Sequence, residues 1–304
     1  MIDIRTLSRH WALFLHAGGL WLERNAFVHA GSLAFYTLFS LAPVVIIAVS
    51  IAGAVFGEEA ARGEIVARLD EFVGTEAAQA VEEAVARSRP DVAGILPTVT
   101  GLVALVIGAT TVFAQMQISL NSIWGVVATP QRSGILVFLK NRILSLAIVL
   151  TIGFVLLVSL LLSVALRAVI RYAESWMPLH GAVLTGAELL LSLVVITLLF
   201  AIIFKILPDV YIAWQDVWTG AAITATMFIV GRHLIALYLT YTAPASAYGA
   251  AGSLVLVLLW VYYSSLILFF GAAFTKARTL ASGKQVVPRK MAVRVRHEIV
   301  EQDG

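Results

Sequence analysis

The chain has no cysteine, and only 13% of its 304 residues are charged. The first absence excludes disulfides, thiolate metal sites, iron–sulfur clusters and a cysteine nucleophile together. The second is as restrictive, because water-soluble domains carry about a quarter charged residues. The six histidines are scattered, with no H-x-H-x-D or H-x-x-x-H spacing. A metal-dependent nuclease needs several histidines or carboxylates converging on divalent ions, and the acidic residues mostly fall in one segment between apolar runs. No Gly-rich phosphate loop is present. The expectation is a protein that is not an enzyme, uses no cofactor or metal and binds no nucleic acid.

What is present is apolar. Hydrophobic residues make up 60% of the chain, and its mean hydropathy is +0.93. A helix that spans a bilayer needs about 20 mainly apolar residues. Six stretches meet that standard, near Ala30–Phe56, Ile95–Met116, Ile143–Leu166, Val183–Phe204, Trp218–Tyr238 and Gly252–Phe274. The fold expected is an all-α, polytopic membrane protein with six transmembrane helices. The second stretch grades into QMQISLNSIW, whose alternation of polar and apolar residues reads as interfacial.

Lysine and arginine set the orientation. The segments before the first span, between the second and third, between the fourth and fifth, and after the sixth hold 14 of the 21. The opposite segments hold six, and Arg232 is the remaining one. Both termini are therefore expected in the cytoplasm.

Three pieces flank the spans. Residues 1–29 lack a cleavable signal-peptide layout and read as an interfacial amphipathic helix. Leu7, Trp11, Phe14, Leu15 and Leu22 fall on one face, and Arg5, Arg9 and Glu23 on another. Residues 57–94, with nine acidic and four basic residues, read as a helical cap on the outer face of the membrane domain, 30–276. Residues 277–304 read as a basic cytoplasmic tail suited to anionic lipid headgroups.

Charge within the spans is the sharpest functional signal. Arg232 lies fourteen residues into the fifth span, roughly 9 Å from its outer end at about 1.5 Å per residue. Glu188 lies five residues into the fourth, roughly 8 Å deep by the same rise. Matching depth on consecutive helices predicts a Glu188–Arg232 pair, which either fixes packing or lines a hydrated cavity. A charge at the bilayer centre costs about 3 kcal/mol on insertion scales, which pairing reduces. His233 points about 100° away from Arg232 around the helix. In the first span Pro43 removes a backbone donor and kinks the helix, with Ser40 and Tyr36 one and two turns before it. Tyr36, Ser40, Pro43, His233 and Tyr248 are the candidate cavity or substrate path. Small residues mark close helix packing: Gly220, Thr224 and Gly231 in the fifth span, and Gly249, Gly252 and Ser253 at the start of the sixth.

Four stretches taken together add a resemblance. LAFYTLFSLAP, QMQISLNSIWGV, FKILPDVYIAWQDVWTGA and GRHLIALYLTYTAPASAYGAAGSLVLVLLWVYYSSLILFFGAAFTKA occur in this order between about residues 25 and 280. The chain resembles the YihY/BrkB family of bacterial inner-membrane proteins, once labelled ribonuclease BN. The resemblance implies six helices with both ends inside, and proteins that look like permeases or virulence-associated envelope factors. The family commonly reads GAEFT where this chain has Gly271-Ala272-Ala273-Phe274-Thr275, so Ala273 replaces its usual glutamate.

The function expected is a transporter, exporter or lipid-translocating permease, with membrane lipids around it and a small molecule, ion or lipid as cargo. The alternative is a non-transporting envelope scaffold resting on the 57–94 cap, with a protein partner or a second copy of itself.

Overall fold

The computed structural model describes residues 4–40, 95–129, 181–242, 252–289 and 292–295. Six helices lie in these segments: α1 (Ile4–Glu23), α2 (Ala26–Ser40), α3 (Ile95–Trp124), α4 (Gly181–Ile206), α5 (Trp214–Thr242) and α6 (Gly252–Ala281). The protein is mostly helical. The all-α expectation needs one correction, because four short strands form two antiparallel ribbons. β1 (Val126–Ala128) pairs with β4 (Ala292–Arg294), and β2 (Val210–Tyr211) with β3 (Val287–Pro288). Strands of two or three residues are too short to show an alternating pattern, and each partner lies far away in sequence.

Among the described residues two stretches are long and apolar enough to cross a membrane, Leu189–Ile206 in α4 and Leu254–Ala281 in α6, and α2 is a shorter apolar helix. Only 22% of the first is buried inside the protein, whereas a soluble protein's core helix is mostly covered. Leu189, Leu190 and Val194 on α4, and Val230, Leu234 and Leu237 on α5, are exposed. Apolar helix faces left open over this length match hydrocarbon rather than water. α3, α4, α5 and α6 contain four of the six expected spans, and α2 holds the start of the first. The rest of the first span, the third span, and the cap at 57–94 lie outside the described residues.

α1 ends where Asn25 takes a left-handed backbone with φ 51°, a conformation asparagine tolerates better than most residues. Its carbonyl then accepts from the amides of Val28 and His29 to begin α2. The expected 1–29 helix is thus broken at this turn. The apolar face of α1 also divides. Phe14 and Ala17 pack on α6, with Phe14 5.0 Å from Phe274 between ring centroids, and Trp21 Nε1–H donates to the Leu266 carbonyl at 3.2 Å. Trp11, Leu15 and Leu22 remain exposed.

α3 runs without interruption through QMQISLNSIW to Trp124. Ser119, Leu120, Asn121, Ile123 and Trp124 are all buried, so this stretch is the packed end of a long helix. The core gathers here. Ala26, Ala30 and Leu33 of α2 meet Leu120 and Ile123 of α3, Phe204 of α4, Ala221 of α5 and Phe269 and Ala273 of α6.

The ribbons place the 125–128, 207–213, 282–289 and 292–295 segments on one face, called here the loop face. Two backbone bonds fasten the described part of the tail to this face. Val295 N–H donates to the Gly125 carbonyl at 3.0 Å, and Arg289 N–H to the Asp209 carbonyl at 2.8 Å.

Candidate functional site

Arg232 sits half-buried on α5. α4 packs along α5, with Phe200 and Phe228 in edge contact at 5.8 Å. Glu188 belongs to α4, but its side chain lies outside the described residues. On one side of Arg232, Gly231 receives the ring and hydroxyl of Tyr263 from α6. On the other, His233 is exposed and its Nδ1–H donates to the Ile229 carbonyl of its own helix at 2.7 Å. That bond turns the imidazole along α5 instead of toward Arg232.

In α2, Ser40 is buried while Tyr36, one turn earlier, is exposed beside Phe35. Pro43, Tyr248 and Gly249 lie outside the described residues, and Gly252 begins α6. Gly220 packs against Thr275 and Gly271 of α6. Ala273 is fully buried in the core.

The densest polar arrangement among the described residues is one that sequence reasoning missed. It occupies the loop face. Asn121 at the end of α3 clasps Asp209: its Nδ2 donates to Asp209 Oδ2 at 2.8 Å, and its Oδ1 accepts from the Asp209 amide at 2.8 Å. Gln117 Nε2 donates to the same carboxylate oxygen at 3.2 Å. Arg289 of the tail covers the end of α4, donating from Nη2 to the Lys205 carbonyl at 2.9 Å and from Nη1 to Ile206 at 3.2 Å. A cation suits that position because the last carbonyls of a helix lack partners and carry its negative dipole end. Lys205 in turn donates to the Ile212 carbonyl and lies 5.1 Å over the Trp214 ring.

A second acid anchors α5 to α6. Asp216 sits in the first turn of α5, where the helix dipole favours negative charge. Its buried carboxylate meets Lys284 Nζ at 2.8 Å and Arg278 Nε at 3.6 Å. Two of the tail's cations, Lys284 and Arg289, thus have protein partners. Asp209 and Asp216 are the only acids between the fourth and fifth spans, in a segment that orientation rules fill with bases. That sign reversal was the available signal.

Beside this network lies a half-open cavity of about 410 Å³. Arg24, His29, Asn121 and Ser122 supply its polar wall, and Ile118, Val127 and Val295 its apolar rim. Buried Lys276 stands behind it, with Nζ donating to the Ile123 carbonyl at 2.8 Å.

Comparison with known proteins decides the family. The chain matches the sequence profile described as Virulence factor BrkB over residues 20–295. It belongs to the YihY/BrkB family. The BrkB match includes all six described helices in whole or in part and both ribbons. Among similar proteins are UPF0761 membrane proteins. That of Alteromonas mediterranea is 27% identical over 83% of this chain and 83% of its own length. That of Chromobacterium violaceum is 29% identical over 84% of this chain, and that of Tolumonas auensis 30% identical over 63%. The chain spans 58% of the Chromobacterium protein and 63% of the Tolumonas protein. No solved structure matches it. With its open apolar helix faces, this BrkB-family chain is an integral membrane protein.

Proposed function

We propose that this chain is a multi-pass permease of the bacterial inner membrane, with both termini in the cytoplasm and no catalytic centre. It moves a small molecule, ion or lipid that carries negative charge. The observation that carries this reading is the half-buried Arg232 in the apolar length of α5. Ionisable residues inside a membrane span are expensive, face the bundle interior or a wet cavity, and mark pathways. Glu188 on the neighbouring helix is its countercharge in the resting protein, and the cargo's anion competes for the same guanidinium.

The test is native mass spectrometry of gently extracted protein, identifying what stays bound to wild type, Glu188→Gln and Arg232→Ala. The charge-swapped double variant Glu188→Arg/Arg232→Glu is run beside them. A molecule enriched on wild type and lost from Arg232→Ala and the swapped variant, both folded, is the expected result. Identical retention by all four proteins, or a swapped variant that behaves as wild type, overturns the permease reading and leaves the pair as packing.

A further inference from the structure

α1 presents three faces, where an amphipathic helix on a membrane has two. At about 100° per residue, Phe14, Ala17 and Trp21 share one side of the helix, and these are the side chains that meet α6. About 110° around from them, Trp11, Leu15 and Leu22 form a strip whose members are 66%, 62% and 59% exposed. About 110° further on lie His16 and Glu23, which are exposed as well. The two open sides of α1 thus differ in kind, one apolar and one polar. Water on both would give no reason for that division.

Two contacts set the depth of the helix. The α6 residues that receive α1 are Leu266, Phe270, Phe274 and Ala277. All four lie inside the apolar Leu254–Ala281 stretch, so α1 flanks a part of α6 that fits hydrocarbon. At its other end the Trp21 ring packs on Phe27 of α2, with centroids 4.6 Å apart. Phe27 and Val28 are exposed in the first turn of α2, as Phe35 and Phe39 are further along it. Apolar surface therefore continues from Leu22 across the turn onto the open side of α2. Arg24 lies against Gly125, which puts that turn at the loop-face end of the bundle.

A second copy of the chain suits the strip poorly, because stable interfaces engage roughly 20–30 residues a side. Lipid suits it well. A surface helix settles its apolar side about 5–10 Å into the boundary between headgroups and acyl chains, a layer that favours tryptophan. We propose that α1 lies in the leaflet nearest the loop face, with the Trp11–Leu15–Leu22 strip against acyl chains, His16 and Glu23 toward water, and α6 fixing its roll. The assignment does not rest on transport through Arg232.

The chain has no cysteine of its own, so a single spin label can be placed on either open side. Leu15→Cys and His16→Cys are labelled in the full chain, in nanodiscs of phosphatidylethanolamine and phosphatidylglycerol. Electron paramagnetic resonance then compares collisions with oxygen, which concentrates in hydrocarbon, and with a water-soluble nickel chelate. Val194→Cys on the open face of α4 is the lipid reference, and Val287→Cys on the loop face is the aqueous one. The expected result is an oxygen-to-nickel ratio at position 15 close to that at 194, and several-fold above the ratio one residue on. If Leu15→Cys fails to fold, Leu22→Cys takes its place. Equal ratios on the two sides, whether wet or dry, overturn the proposal. A label at 15 shielded from both reagents also overturns it, since protein then covers the strip.

Discussion

Thr224 of α5 and Thr275 of α6 each rest on a glycine of the opposite helix. Thr275 covers Gly220, and Thr224 covers Gly271. Each threonine hydroxyl also donates to the glycine carbonyl one turn back on its own helix, Thr224 to Gly220 at 2.6 Å and Thr275 to Gly271 at 2.8 Å. The result is a reciprocal lock made from two Gly-x-x-x-Thr turns. It needs small residues because helices in lipid are held by close packing rather than by exclusion of water.

A Cβ at Gly271 would overlap the Thr224 hydroxyl and stand 2.9 Å from the Cβ of Thr224 and 3.0 Å from Phe204. Gly271→Ala is therefore expected to cost about 1–3 kcal/mol by overpacking, read as a lower melting temperature in detergent. Thr224→Ala in the same chain removes the hydroxyl, which is the closest obstruction, and leaves the Cβ and Phe204 contacts. The double variant should be more stable than the sum of the single effects predicts. Simple additivity would show that the two sites do not touch.

Gly231 offers a milder contrast. Its added Cβ meets the hydroxyl end and ring of Tyr263, a longer side chain that can swing aside. Gly231→Ala should cost less than Gly271→Ala, and Tyr263→Phe should recover part of the loss. A cost equal to that at Gly271 would mean that Tyr263 is held as firmly as Thr224.

Asp216 balances Lys284 and Arg278, whose side chains are 43% and 35% exposed. Breaking a fully buried pair costs about 3–5 kcal/mol, but solvent screening on the cation side brings Asp216→Asn to about 1–2 kcal/mol. Lys284→Ala should cost under about 1 kcal/mol, because Arg278 stays beside the carboxylate. The same melting measurement checks both, and a larger loss for Lys284→Ala would reverse this ranking.

The natural lack of cysteine makes topology directly testable. Val127, Tyr211 and Val287 are exposed on the loop face, so single cysteines there should share one side of the membrane. With a cytoplasmic loop face, a membrane-impermeant maleimide leaves all three unlabelled until the inner membrane is opened. Thr75→Cys in the 57–94 segment should react beforehand. Labelling of one loop-face cysteine ahead of the other two would break the common face.

Composition by itself determined the solvent of this protein. Sixty per cent hydrophobic residues and few charges leave no way to cover the chain in water, and the open faces of α4 and α5 follow from that. The four quoted stretches, QMQISLNSIWGV to the long run ending in KA, were enough to give the family. Small residues pointed to close packing at Gly220 and Gly231, but their pairing did not follow, since Gly220 and Thr275 are far apart in the chain. Only the tertiary structure decided the loop face. Arg24, Asn121, Asp209, Lys276 and Arg289 come from five separate segments, and no local period relates them. In sequence the tail's basic residues look like any membrane-surface charge, because a lysine facing lipid and a lysine facing Asp216 have the same neighbours along the chain. Partners brought together by folding separate those two fates, and a charge near the membrane takes its role from whichever carbonyl, carboxylate or headgroup the fold sets within reach.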